Sequence, residues 1–295
     1  MLLLTGATGL VGSALLHRLV AEGQQVRCLV RDPRRLGPQR VRVQIALGDL
    51  TDPPSFRNAM RGVDTVVHLA ASTRDQPRGS IEELAAIATW RMVEAAGRAG
   101  VERFVFFSTL GASTHHRARL FRAKALAEQA VRDADLRSTV IAPSLVYAPG
   151  DRLLTLIERL SLLPVMPLSG SGRAVCQPIW AENVAECVMA ALRERGDGGA
   201  ANERYELAGP DTFSYDDIIR TVLCSAGRER PLAHIPTPLV SRALRLIERA
   251  MGASAPVAWD EAELLEANMV ARSGIADAQA LGVTPQPMSA VLGAG

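Results

Sequence analysis

Three glycines recur at three-residue intervals near the start of the chain, within Thr5-Gly6-Ala7-Thr8-Gly9-Leu10-Val11-Gly12. At this spacing Gly6 permits a tight turn, Gly9 lets a phosphate approach the backbone, and Gly12 lets a helix lie close on the preceding strand. The unpaired N–H groups and dipole at the start of such a helix favour an anion. The expected ligand is the pyrophosphate of a dinucleotide, held by Gly6, Thr8, Gly9, Leu10, Val11 and Gly12. A second determinant belongs about 20 residues later, where an acidic side chain ending the next strand would accept from the ribose of NAD. That strand, Val26-Arg27-Cys28-Leu29-Val30, ends at Arg31. A cation there would pair with the 2′-phosphate of NADP, with Arg34 and Arg35 near enough to assist or to form a solvated surface cluster. With the register one residue later, Asp32 would face the ribose and favour NAD. Arg31 is the expected contact, and NADP(H) the expected cofactor in preference to NAD(H).

These positions need strands and helices to hold them. Apolar runs predict strands at Leu2–Thr5, Val26–Arg31, Arg42–Leu47, Thr65–Leu69, Arg103–Phe107 and Ser138–Ile141. Amphipathic patterns between them predict helices at Leu10–Glu22, Pro54–Arg61, Ile81–Ala99 and Arg117–Ala134. Alternating strands and helices imply right-handed crossovers and a parallel sheet covered on both faces. The expected fold is α/β, a Rossmann-type doubly wound parallel sheet with a smaller, mainly helical C-terminal lobe. Residues 1–150 would form the dinucleotide-binding domain, rejoined by about 177–208 through a helix at Glu182–Glu194 and a strand at Tyr205–Leu207. Residues 151–176 and 209–295 would form the lobe, with helices near Tyr215–Ala226, Leu239–Met251 and Glu261–Asn268. Ligands of open parallel sheets lie beyond the carboxyl ends of the strands, so this lobe would cover the crevice.

Composition excludes several classes. Of 295 residues, 48% are hydrophobic and 22% charged, an ordinary globular balance. A net charge of +2 and 4% aromatic residues argue against nucleic acid as a partner. The four cysteines have neither metal-site spacing nor the density of a secreted scaffold, so no metal is expected and the compartment should be reducing. No run approaches the ~18 apolar residues of a membrane span, and a cytoplasmic location is the simplest expectation.

The glycine turn, together with Gly48-Asp49-Leu50, Val66-Val67-His68-Leu69-Ala70-Ala71, Phe107-Ser108-Thr109, the run from Pro143 to Asp151 and Gln177-Pro178-Ile179, resembles the short-chain dehydrogenase/reductase superfamily in its extended and atypical branches. The stretch Tyr205 to Pro210 followed by Phe213-Ser214-Tyr215 looks most like the group that includes the NADPH-binding accessory subunit of respiratory complex I. The resemblance implies that Asp49 and Leu50 frame the adenine and that Ala70 and Ala71 leave room for ribose and phosphates. It implies that Pro143, Leu145 and Val146 belong to the loop holding the nicotinamide amide. His68 is then a strand-end residue rather than a base.

Catalysis in that superfamily rests on Tyr-x-x-x-Lys, whose spacing places both side chains on one helix face. Here Lys124 stands at the Lys position, able to bond the nicotinamide ribose, while the Tyr position holds Leu120. Ser108 and Thr109 offer hydroxyls to a substrate carbonyl but cannot supply acid catalysis alone. His115, His116 and Tyr147 are candidate substitute donors, and Trp90 and Trp180 read as packing residues. Two functions follow. The chain binds NAD(P)(H) with weak or no standard hydride transfer; alternatively, it is an oxidoreductase, epimerase or dehydratase using a non-standard proton donor. The lobe would serve a small-molecule substrate or a protein partner.

Overall fold

The computed structural model describes residues 1–77, 79–193, 202–251 and 259–293. Strands β1 (Leu2–Thr5), β2 (Val26–Val30), β3 (Gln44–Leu47), β4 (Thr65–His68), β5 (Arg103–Phe107) and β6 (Arg137–Pro143) form one sheet with the strand Glu203–Leu207. The order is Glu203–Leu207, β6, β5, β4, β1, β2, β3, and every pairing is parallel. The chain order reverses between β4 and β1, which is the switch point where such sheets open a crevice.

Period-two alternation sends the β1 side chains to both faces. Leu2 and Leu4 pack with helix α1 (Leu10–Ala21), whereas Leu3 packs on the opposite side with helices α2 (Pro53–Ala59), α3 (Ala88–Ala99) and α4 (Arg119–Arg132). Helix α5 (Arg152–Leu160) enters the lobe, and α6 (Ala181–Arg193) returns to lie against α1. Glu194, the expected end of α6, lies outside the described residues.

The doubly wound sheet and the expected strands are present with ends displaced by at most two residues. Two features depart from the periodicity reading. A 3₁₀ segment, Pro33–Val41, fills the approach to β3, and Arg42, its C-cap, takes αR backbone with its N–H bonded to the Gln39 carbonyl, so the strand starts at Gln44 and not at Arg42. The lobe, mainly helical as expected, also holds short strands that the periodicity did not predict. It contains a parallel pair, Met166–Ser169 with Leu232–Ile235, and an antiparallel pair, Val175–Cys176 with Phe213–Ser214. Strands of two to four residues carry too few alternations to stand out in a sequence rich in Pro and Gly.

The glycine turn is the tightest part of the framework. A Cβ at Gly12 would lie 2.0 Å from the Gly6 carbonyl oxygen, and one at Gly6, where φ is +74°, would lie 2.7 Å from the Ala70 nitrogen. A Cβ at Gly9 would meet only that same carbonyl, at 3.2 Å. Gly6 and Gly12 are therefore demanded by packing, whereas Gly9 is not demanded nearly so strictly. Accordingly, Gly12→Ala should cost about 1–3 kcal/mol of stability or more through forced backbone displacement, while Gly9→Ala should stay within about 1 kcal/mol of the parent. Urea denaturation of the two variants checks this; equal losses would refute the distinction.

Candidate functional site

A cleft of about 740 Å³ opens beyond the carboxyl ends of the central strands. Its floor is the glycine turn. Helix α1 begins at Leu10 with Gly9 as its extended N-cap, with neither a capping side-chain hydrogen bond nor an acid in its first turn. The donors of that turn therefore have no local anion competing for them.

Of the expected contacts, Gly6, Thr8, Gly9, Arg31, Asp49, Leu50, Ala70 and Ala71 line this one cleft, as does Arg35. Gly12 and Val11 lie buried behind the turn, and Leu10 is exposed beside it. Asp32 is engaged elsewhere, capping the 3₁₀ segment by accepting from the Arg34 N–H at 3.0 Å. Asp49 Oδ1 accepts from the backbone and hydroxyl of Thr51, both at 3.0 Å, which fixes its carboxylate on the cleft wall.

A buried hydrogen-bond chain shapes the wall beside the turn. The Thr89 hydroxyl donates to the Ala85 carbonyl at 2.7 Å, so its oxygen must accept from His68 Nε2 at 3.1 Å. His68 Nδ1 is then the acceptor for the Thr5 hydroxyl at 2.7 Å, whose oxygen accepts from the Ala70 N–H. His68 is wholly buried, and burial, aided by Lys124, pushes its pKa down to about 3. It is a neutral structural link and does not line the cleft.

The residues expected near a nicotinamide are arranged differently. Ser108 is buried and donates to the Glu128 carboxylate, itself buried and paired with Arg204. Lys124 is also buried; its amine donates to the Phe107 carbonyl and lies 4.9 Å from the Phe106 ring centre. Burial lowers its pKa to about 8, with Glu128 pulling the other way. Leu120 packs with Ile81, Ala85 and Ala123. The Thr109 hydroxyl is 3.2 Å from the Leu110 carbonyl.

The Pro143–Val146 loop is pinned by Ser144, which donates to the Met269 carbonyl at 2.7 Å, and by the Leu145 carbonyl, which accepts from Ile179 at 2.9 Å. Tyr147 is fully buried, which raises its pKa, and its hydroxyl has no partner among the described residues. His116 stacks on Phe121 with ring centres 4.3 Å apart, its Nδ1 accepting from the Ala118 N–H. His115 is exposed. None of these three lines the cleft. Trp180 packs at the lobe core, but Trp90 is half exposed on α3, contrary to a packing role.

Motif reading missed the outer wall, a polar loop from Ser72 to Pro77 after β4. Arg119 clamps it, donating to Asp75 at 2.9 and 3.1 Å and to Glu82 at 2.6 and 2.8 Å. Arg152, at the start of α5, also lines the cleft and is its contact from the lobe. The signal available was topological: loops leaving the strands on either side of the switch point must border the crevice.

A family profile described as NAD(P)H-binding matches residues 6–194. The chain is 29% identical over 247 residues to the Arabidopsis thaliana protein named NADH dehydrogenase (ubiquinone) 1 alpha subcomplex subunit 9, mitochondrial. That match covers 79% of this chain and 60% of the plant protein, so the chain spans less than two thirds of that relative. It is 27% identical over 249 residues to a Caulobacter vibrioides protein named Ceramide reductase, covering 83% of this chain and 76% of that one. Its fold is that of a nucleoside-diphosphate-sugar epimerase from Staphylococcus aureus, with a TM-score of 0.77, 18% identity and 99% of each chain covered. Among the described residues, no helix is long and apolar enough to cross a membrane.

The buried imidazole gives a pH dependence with a definite sign. The folded pKa of about 3 lies below the ordinary 6.5, so between these values the unfolded chain binds the extra proton and stability falls as pH drops. The slope from this group approaches about 1.4 kcal/mol per pH unit below about pH 6. Urea titrations at pH 7, 6 and 5 should show this decline, and His68→Gln, though less stable at pH 7, should show a shallower one. Parallel pH profiles would contradict the assignment.

Proposed function

Because the chain belongs to the NAD(P)H-binding family, of the atypical short-chain dehydrogenase/reductase type, we propose that it holds NADP(H) in preference to NAD(H) and has weak or no standard hydride-transfer activity. The observation that carries the cofactor choice is the pairing at the end of β2. Arg31 lines the same cleft as the glycine turn, while the Asp32 carboxylate is committed to the Arg34 N–H. A guanidinium is complementary to a 2′-phosphate and offers nothing to a bare 2′-hydroxyl that a carboxylate would not do better.

In this reading the pyrophosphate lies against Thr8 and Gly9 and the adenine lies between Asp49 and Leu50. The Pro143–Val146 loop faces the nicotinamide, and Lys124 turns toward its ribose when the cofactor is bound. A bound nicotinamide would supply or accept hydride. What this chain lacks at residue 120 is a proton donor, since Leu120 has none to give. The binding role fits the similarity to the named complex I subunit, and the lobe then serves a protein partner or a small molecule. The reducing, cytoplasmic setting expected from the cysteines belongs to the same reading.

A second reading, an oxidoreductase acting through another donor, is favoured by the similarity to the protein named Ceramide reductase. Tyr147 would need to be brought from the core, and His116 from the half-exposed segment before α4, to act in the cleft.

Calorimetric titration tests the cofactor choice. A charge-assisted contact is worth roughly 1.5–3 kcal/mol, so NADPH should bind about ten- to a hundredfold more tightly than NADH, with the difference lost in Arg31→Ala. Equal affinities in the parent protein would overturn the preference. Gly9→Asp should remain folded yet lose the thermal stabilisation of about 2.7 kcal/mol that NADPH at 100 times its dissociation constant provides.

Activity is tested separately. General acid–base groups contribute about 10²–10⁴-fold to rate, so NADPH oxidation with aldehydes, ketones, quinones and nucleotide sugars should be very slow. Leu120→Tyr should raise carbonyl reduction. Brisk turnover by the parent, abolished by Tyr147→Phe or His116→Ala, would establish the second reading instead.

A further inference from the structure

We propose that Gln76 is a positioning residue for cofactor selection, holding Arg31 in the conformation that receives a 2′-phosphate. The inference rests on the NADP(H) reading above and adds to it a residue outside the glycine turn and outside β2. Arg31 Nη1 donates to Gln76 Oε1 at 2.6 Å, joining the end of β2 to the loop after β4 along the cleft wall.

The orientation of the Gln76 amide follows from its neighbours. The Ser72 hydroxyl donates to the Arg74 carbonyl at 2.5 Å, so the Ser72 oxygen can only accept from Gln76 Nε2, at 3.1 Å. The amide oxygen must then face Arg31. The loop itself is fixed twice more: Gln76 and Gly79 exchange backbone hydrogen bonds of 2.9 and 3.0 Å, and the Arg119 clamp holds the adjacent Asp75. Gln76 Oε1 is therefore a built acceptor at a set place.

One neutral acceptor on Nη1 leaves the Nε and Nη2 donors of Arg31, the edge suited to bidentate phosphate contact. An exposed arginine otherwise loses rotamer freedom when it grips a ligand. Anchoring one nitrogen in advance lowers that loss, and because the anchor is uncharged it does not cancel the attraction for phosphate. A carboxylate at residue 76 would cancel it.

The test compares NADPH and NADH affinities by calorimetry in the parent, Gln76→Leu, Gln76→Glu, Arg31→Ala and Arg31→Ala with Gln76→Leu. Losing the anchor on one Arg31 nitrogen should lower the NADPH-to-NADH affinity ratio about three- to tenfold in Gln76→Leu. Gln76→Glu should lower it by more than about tenfold through charge repulsion. In the Arg31→Ala background, Gln76→Leu should shift the ratio by less than about twofold, because its effect passes through Arg31. A general disturbance of the loop would weaken both cofactors alike and leave the ratio in place, which would overturn the inference. An increased ratio in Gln76→Leu would overturn it too, showing that the amide competes with the phosphate. Equal binding of the two cofactors by the parent would defeat the NADP(H) reading itself; a parental preference that Gln76→Leu leaves undiminished would defeat only the role of Gln76.

Discussion

The geometry of the cleft depends on one close approach, that of Gly12 in the first turn of α1 to the carbonyl of Gly6 at the end of β1. Only a hydrogen atom fits between the helix and that carbonyl, since a Cβ at Gly12 would stand 2.0 Å from it. This contact lets α1 begin close against the end of β1, which sets its first donors at the carboxyl end of the sheet. A looser crossing would aim them elsewhere. The same turn presses Gly6 against Leu69 and Ala70, so β1, α1 and the end of β4 are mutually fixed before any ligand arrives.

Rigidity then extends outward through polar contacts whose directions are determined. The Thr5, His68 and Thr89 chain ties β1 to β4 and to the helical segment that follows. In a dry interior such a chain is favourable because every donor finds an acceptor, and costly to disturb because a single loss strands its neighbours. Neutral His68 suits this position because one ring nitrogen donates, the other accepts, and the low pKa keeps that arrangement at any physiological pH. At the rim, Arg119 plays the equivalent part with charge, bridging Asp75 on the loop that forms the outer wall to Glu82 at the start of the helical segment after it. Burial and hydrogen bonding thus set the inner wall, and ion pairing sets the outer one.

This division explains what could be read from the sequence. The doubly wound sheet was legible because buried parallel strands are short apolar runs and the helices between them carry a clear amphipathic period. That the glycine turn and Arg31 would border one cleft was legible because each stands at the end of a strand, where residue type answers a local demand, a tight approach in one case and a strand-end charge in the other. The 72–77 loop was not, because its residues are polar, aperiodic and held by partners as distant in sequence as Arg31 and Arg119. The short strand pairs of the lobe were missed for a related reason: their pairing is set by tertiary packing, not by a pattern within two to four residues. Nor does the sequence say which way Lys124 points, since a helix position fixes a face but not the partner chosen by a long side chain.

The polar groups below the expected nicotinamide position show how such a site behaves with leucine at residue 120. Ser108 donates to Glu128, Lys124 donates to the Phe107 carbonyl, and Leu120 rests on Ile81, Ala85 and Ala123. Each of the three side chains has a partner within the protein, a carboxylate, a carbonyl and an apolar cluster respectively. An ammonium whose pKa burial has lowered to about 8 is poised between two environments: turning into an aqueous cleft would restore its hydration, while staying keeps the Phe107 contact. On the proposed reading, a cofactor ribose supplies the reason to turn, and with no phenol beside it the lysine then acts as a clamp and not as half of an acid–base pair. Cofactor binding and proton transfer would thereby be separable in this fold. On the proposed reading the former depends on backbone donors, Arg31 and the reach of Lys124, and the latter on a group that leucine cannot provide.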